Sequence, residues 1–117
     1  MLLESARIYN NVFKTNGLTA IAFPTLPMPA PLINENGDTP GQRILINGKA
    51  VDELDALILN LFAGPRFGVP GLSLPSGMTD GLPVGLEFDG LAGDDSRILG
   101  LGIAAERVLG TLPAPKI

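Results

Sequence analysis

Residues 68–90, GVPGLSLPSGMTDGLPVGLEFDG, constrain what this chain can fold into more than any other stretch. Two apolar runs, 71–75 and 82–88, are joined by a linker that contains Thr79-Asp80-Gly81. Asp-Gly between β-prone runs favours a tight hairpin, because glycine takes positive φ without strain and aspartate tolerates it. No charge interrupts either run before Glu87. Such runs predict strands in a sheet covered on both faces, and helices elsewhere in the chain are the available cover.

Residues 2–14 predict one such helix, with Leu2, Ala6, Tyr9 and Phe13 recurring at three- and four-residue spacing. Asn16-Gly17 is a stop of the kind that ends a helix in a left-handed residue. No capping residue precedes the first turn, which points to an element cut from a longer ancestor. Residues 18–23, LTAIAF, read as a short buried strand between Gly17 and Pro24. Pro24, Pro27, Pro29 and Pro31 then forbid a helix and predict an extended segment. Met28, Ala30, Leu32 and Ile33 within it are expected to pack against the fold.

Residues 34–42 are the most loop-like and are expected to be flexible. Runs 43–46 and 49–51 flank Asn47-Gly48, a second hairpin signal. Residues 52–62 predict a helix with Asp52 as N-cap and an apolar stripe of Leu54, Leu57, Ile58, Leu61 and Phe62, ended by Gly64-Pro65. A last helix starts at Asp94, Asp95 or Ser96 and reaches Leu109, with Gly110 beyond it. Residues 111–117 read as a frayed tail. The whole, residues 1–117, is expected to form a single domain.

Composition narrows the function. Charged residues are only 17% of the chain, below the roughly one quarter usual for a soluble domain. Little surface polarity remains once a core is filled, so an exposed apolar patch is expected, with a partner or a missing part of the same protein as its cover. The net charge is −4 and the eight basic residues are scattered, which argues against nucleic acid. There is no cysteine, no membrane-length apolar run and no signal peptide pattern, so a soluble, cytoplasmic protein is expected.

The chain has no histidine, the commonest general base and metal ligand. Ser76-Gly77 lies near a strand end, but a G-x-S-x-G elbow is absent. Gly100-Leu101-Gly102-Ile103-Ala104-Ala105 matches a dinucleotide fingerprint only as a string, because it falls inside a helix. Close helix–sheet packing is the better reading of those glycines. Glu35, Asp38 and Asp52 lack the spacing of a calcium loop. Glu87, Asp89, Asp94 and Asp95, taken as paired acids, are accounted for by solvated turns and caps. No catalytic, cofactor-binding or metal-binding residue is assigned, and no cofactor is expected.

Taken together, Phe23-Pro24-Thr25 with its prolines, then GVPGLSLPSG, then GLPVGLEFDG, resemble the C-terminal part of amidase signature enzymes. The ending through Asp94, Arg97, Glu106 and Leu112-Pro113-Ala114-Pro115 is most similar to their indoleacetamide and mandelamide hydrolase branch. The resemblance implies an α/β fold here, a partial mixed β-sheet with flanking helices that is a fragment of the family's α/β/α architecture. It implies a parent activity on linear carboxamides, carried by a serine, a second serine in a cis peptide and a lysine. That catalytic region has no counterpart in this sequence, so the expectation is a C-terminal segment inactive by itself. In the family, the region of residues 60–68 borders the substrate pocket, which makes Asn60, Phe62 and Phe67 candidate pocket-lining residues; under the alternative that follows, Phe62, Phe67 and Tyr9 would line a leftover apolar pocket. The alternative is a free-standing, homo-oligomeric binding or assembly module. The expected partner is therefore a second copy or a missing N-terminal amidase half.

Overall fold

The structure is a computed structural model that describes residues 2–32, 42–61 and 63–114. The expected loop at 34–42 and the tail beyond 114 lie almost entirely outside the described residues, as do Ile33 and Phe62.

Helix α1, Leu2–Asn16, ends as expected at Gly17, whose φ is 61°. The Leu18 amide donates to the Phe13 carbonyl at 3.0 Å, closing the helix end in a Schellman motif. That closure uses residue 18, so strand β1 begins later than expected and spans Ile21–Pro24. In the proline segment that follows, Met28 is half-buried, but Leu32 is 95% exposed and does not pack as expected.

Strands β2, Arg43–Ile46, and β3, Lys49–Asp52, form the expected small hairpin around Asn47 (φ 51°) and Gly48 (φ 78°). Asp52 caps the next helix, its Oδ1 accepting from the Asp55 amide at 3.2 Å. The expected helix over 52–62 is instead two short ones. Helix α2 covers Glu53–Leu57, and α3 covers Ala63–Phe67 after an intervening turn. Gly64-Pro65, expected as a stop, lies in the first turn of α3. Proline is tolerated there because first-turn amides have no intrahelical partner.

The principal sheet is antiparallel throughout, in the order β1-β5-β4. Strand β4, Gly71–Thr79, and β5, Leu82–Asp89, are joined by a tight turn at Asp80 (φ 51°) and Gly81 (φ 79°). β4 continues past Pro75 because it is an edge strand. The pairing Leu74↔Leu86 directs alternate residues of β4 inward, so the proline nitrogen faces outward where no ladder bond is needed. The register shifts between Pro75 and Gly77, and the Ser76 hydroxyl within this bulge donates to the Val84 carbonyl at 3.2 Å. The Thr25 amide donates to the Gly85 carbonyl at 3.0 Å, so odd-numbered β5 residues turn their backbone groups toward β1. Pro83 therefore directs its missing donor past the end of that short strand.

Helix α4, Asp95–Leu109, covers the sheet face that bears Leu72, Leu74 and Phe88. Asp94 is its N-cap residue, without a side-chain capping bond, and Gly110 (φ 76°) follows its end. Gly102 is buried, and a methyl group added there would stand 2.3 Å from Cδ2 of Leu72. Close helix–sheet packing is thus the role of Gly102, while Gly100 is exposed with nothing within 4 Å. On the opposite face, α1 and α3 cover the Asp89 end, and the Ser73–Gly85 end lies open rather than covered.

Among the described residues the buried apolar side chains are Phe13, Leu74 and Ile98, against fifteen large apolar side chains that are exposed. The accessible surface is 8652 Å², where a compact chain of this mass would expose about 6,100 Å². The radius of gyration, 16.7 Å, likewise exceeds the roughly 13 Å of a compact domain this long.

Candidate functional site

Glu87 and Asp89 occupy alternate positions of β5 and therefore share one sheet face. Asp89 is 2% exposed, which corrects the expectation that solvated turns account for it. Glycines make the room. A Cβ on Gly71 would lie 2.8 Å from Asp89 Oδ1 and 3.1 Å from Glu87 Oε1, and one on Gly64 would lie 3.4 Å from Asp89 Oδ2. Asp89 Oδ1 is buried and has no hydrogen-bond partner.

From α1, Tyr9 reaches over this end of the sheet and donates its hydroxyl to the Gly90 carbonyl at 3.1 Å. Its ring lies between those of Phe13 and Phe67, at centroid distances of 5.0 and 5.3 Å. Asn60, in the turn after α2, donates from Nδ2 to the Pro24 carbonyl at 2.9 Å. A cleft of about 310 Å³ opens between these elements, walled by Tyr9, Ile21, Phe23, Leu59, Asn60 and Asp89. Asn60 and Tyr9 therefore line a cleft, whereas Phe67 stands behind Tyr9. Phe62 lies outside the described residues.

The electrostatics of the cleft run one way. Burial pushes the Asp89 carboxyl up from its ordinary value. Burial, then the charge of Asp89, raises Glu87. The same two causes push the Tyr9 phenol up to about 12. A carboxyl held this way keeps its proton to higher pH and can give or take one hydrogen bond. The alternate spacing of Glu87 and Asp89 in an otherwise apolar strand was the sequence signal for this pair; burial by α1 and α3 left no such signal.

A second cleft, of about 410 Å³, lies at the open end of the same face between Ser73, Gly85 and the Leu26–Met28 bend. The Ser73 and Thr25 hydroxyls bond to each other there, and Ser76 is held by Val84. Among the described residues no group of three or more acidic, histidine or cysteine side chains could hold a metal ion. Nor is any helix among them long and apolar enough to cross a membrane.

The sequence profile of the family described as Amidase matches residues 2–99. The chain belongs to the amidase family. Indoleacetamide hydrolase of Agrobacterium vitis is 39% identical over 110 residues, covering 93% of this chain and 22% of that protein. Mandelamide hydrolase of Pseudomonas putida is 35% identical over 108 residues, which is 89% of this chain and 19% of that one. A crystal structure of an amidase superposes with a TM-score of 0.70 at 32% identity, over 80% of this chain and 20% of the other. This amidase chain thus spans about a fifth of the length of such relatives. Its helices on both faces of a sheet are a fragment of the amidase fold.

Proposed function

We propose that this chain acts as the C-terminal supporting segment of an amidase-type carboxamide hydrolase and is catalytically silent by itself. The observation that carries this reading is the exposed surface. Among the described residues, fifteen large apolar side chains outside and three inside fit a shell separated from the body it encloses. The match to about a fifth of each relative supports the same reading. So does the engagement of the Ser73 and Ser76 hydroxyls by the Thr25 hydroxyl and the Val84 carbonyl, neither of which is a base that would activate a nucleophile. The relatives' names put the parent activity on amides of the indoleacetamide and mandelamide type.

The test is ammonia release from indoleacetamide and mandelamide by the purified 117-residue chain. The expected result is no rate above the protein-free control. Turnover that disappears with Ser76→Ala would overturn the proposal.

The exposed apolar surface also supports a second reading, in which copies of the chain cover one another as a cytoplasmic homo-oligomer. Sedimentation separates the two: a monomer at tens of micromolar rules out self-assembly as the cover.

A further inference from the structure

We propose that the cleft beside Asp89 is a binding site for one protonated nitrogen group, a primary ammonium or a guanidinium, carried on an apolar stem. The argument starts from hydrogen-bonding capacity. Asp89 lines the cleft, is 2% exposed, and has an Oδ1 atom without a partner. A buried acceptor in that condition is matched by a donor, and a charged donor makes the stronger bond.

The other polar groups of the wall have already used donors. The Tyr9 hydroxyl gives its proton to the Gly90 carbonyl, which leaves its oxygen only lone pairs to offer. Asn60 Nδ2 gives one of its two protons to the Pro24 carbonyl, and its Oδ1 can accept. The spare capacity is therefore mainly for accepting, which favours a group that only donates and disfavours a carboxylate or phosphate.

Charge points the same way. Glu87 Oε1 and Asp89 Oδ1 fill the space that a Gly71 side chain would take, 3.1 and 2.8 Å from its first carbon, so the two carboxyls are close neighbours. Every influence acting on these two carboxyls raises them, and no basic side chain holds either down. A single cation held by Asp89 would act on both. Ile21, Phe23 and Leu59 supply apolar walls for a stem. The volume, about 310 Å³, suits a small arylalkyl group or one long side chain.

Two sources carry this chemistry: a free organic amine, or a lysine or arginine side chain of another polypeptide segment. The site does not depend on the hydrolase reading, since the readout is binding and not turnover. The full chain is titrated at neutral pH with phenethylammonium chloride and, separately, with the peptide acetyl-Leu-Arg-Leu-amide. Binding is followed by NMR at the Gly71 amide and the Tyr9 ring, with phenethyl alcohol and phenylacetate as controls.

At least one cationic probe is expected to bind where both controls fail. Asp89→Asn and Glu87→Gln are each expected to weaken it about tenfold or more, the loss of one charge-assisted bond. Binding of the amine identifies a free ligand as the source, and binding of the peptide alone identifies a side chain. The proposal is overturned if neither cation binds, if phenethyl alcohol binds as well as the amine, or if affinity survives Asp89→Asn. Should Asp89→Asn fail to fold, Glu87→Gln at the half-buried neighbour decides by the same criterion.

Discussion

Two glycines of α4, two residues apart and so on opposite sides of the helix, make a matched test of how it meets the sheet. Replacing either with alanine gains the same backbone term, about 0.5–1 kcal/mol in a helix interior. At Gly100 nothing lies within 4 Å, so Gly100→Ala keeps that gain. At Gly102 the new methyl would meet Cδ2 of Leu72 at 2.3 Å and its Cγ at 3.7 Å. Carbon contacts settle near 3.5–4.0 Å, so the Leu72 tip must retreat by roughly 1.2 Å or more. It is the free end of a flexible side chain, but it is wedged between β4 and α4, and overpacking of this kind costs about 1–3 kcal/mol. Gly102→Ala is thus expected to be neutral to destabilising by ~2 kcal/mol once the backbone gain is subtracted.

Urea unfolding followed by far-ultraviolet circular dichroism reads both variants. With a slope of about 1–3 kcal/mol per molar urea, the two midpoints should separate by roughly 1 M. A third variant removes the cause: in a Leu72→Ala background, Gly102→Ala should become stabilising, and the coupling between the positions should be about 1–3 kcal/mol. If Gly102→Ala raises the midpoint as much as Gly100→Ala does, or if its effect is unchanged without Leu72, the packing argument is wrong.

The pH dependence has a definite sign. Asp89 and Glu87 have folded pKa values raised above the unfolded ones, so their stabilising share is complete below the ordinary carboxylate range and is lost as pH rises through the folded values. The chain should therefore lose stability from these groups as pH rises above the ordinary carboxylate range, and Asp89→Asn should flatten that slope in urea midpoints. Tyr9, pushed up to about 12, adds a second loss only in strong alkali. Tyr9→Phe keeps the ring between Phe13 and Phe67 but removes the bond to the Gly90 carbonyl. It should cost about 0.5–1.5 kcal/mol in the same titration, and no change would mean that the bond is not formed in solution.

How far residues foretold structure depended on whether the deciding contact was local. Asn47-Gly48 and Asp80-Gly81 announce their turns because positive φ at both positions is a property of the dipeptide itself. Asn16-Gly17 and Asp52 are legible for the same reason, as a left-handed cap and a side-chain cap. The break after Leu57 is not, because Leu54, Leu57, Ile58 and Leu61 keep helical spacing straight through it. Pro65 misleads as a stop, since a proline at the start of one helix and just beyond the end of another look alike in sequence. At the cleft, the sequence names Tyr9 and Asn60 as candidate lining residues, but not Asp89. A carboxylate beside Gly90 resembles a solvated turn until α1 and α3 are folded over it.

The placement of Pro75 and Pro83 bears on how this chain meets other polypeptides. An added strand grows by taking and giving bonds along an open margin, and at these two points the margin has nothing to give. Growth of the sheet by end-to-side addition along β4, or into the gap beyond β1, is interrupted there. Whatever covers the bare leucines and isoleucines of this molecule is therefore expected to settle onto its broad sides, as a lid onto a tray, rather than extend the weave.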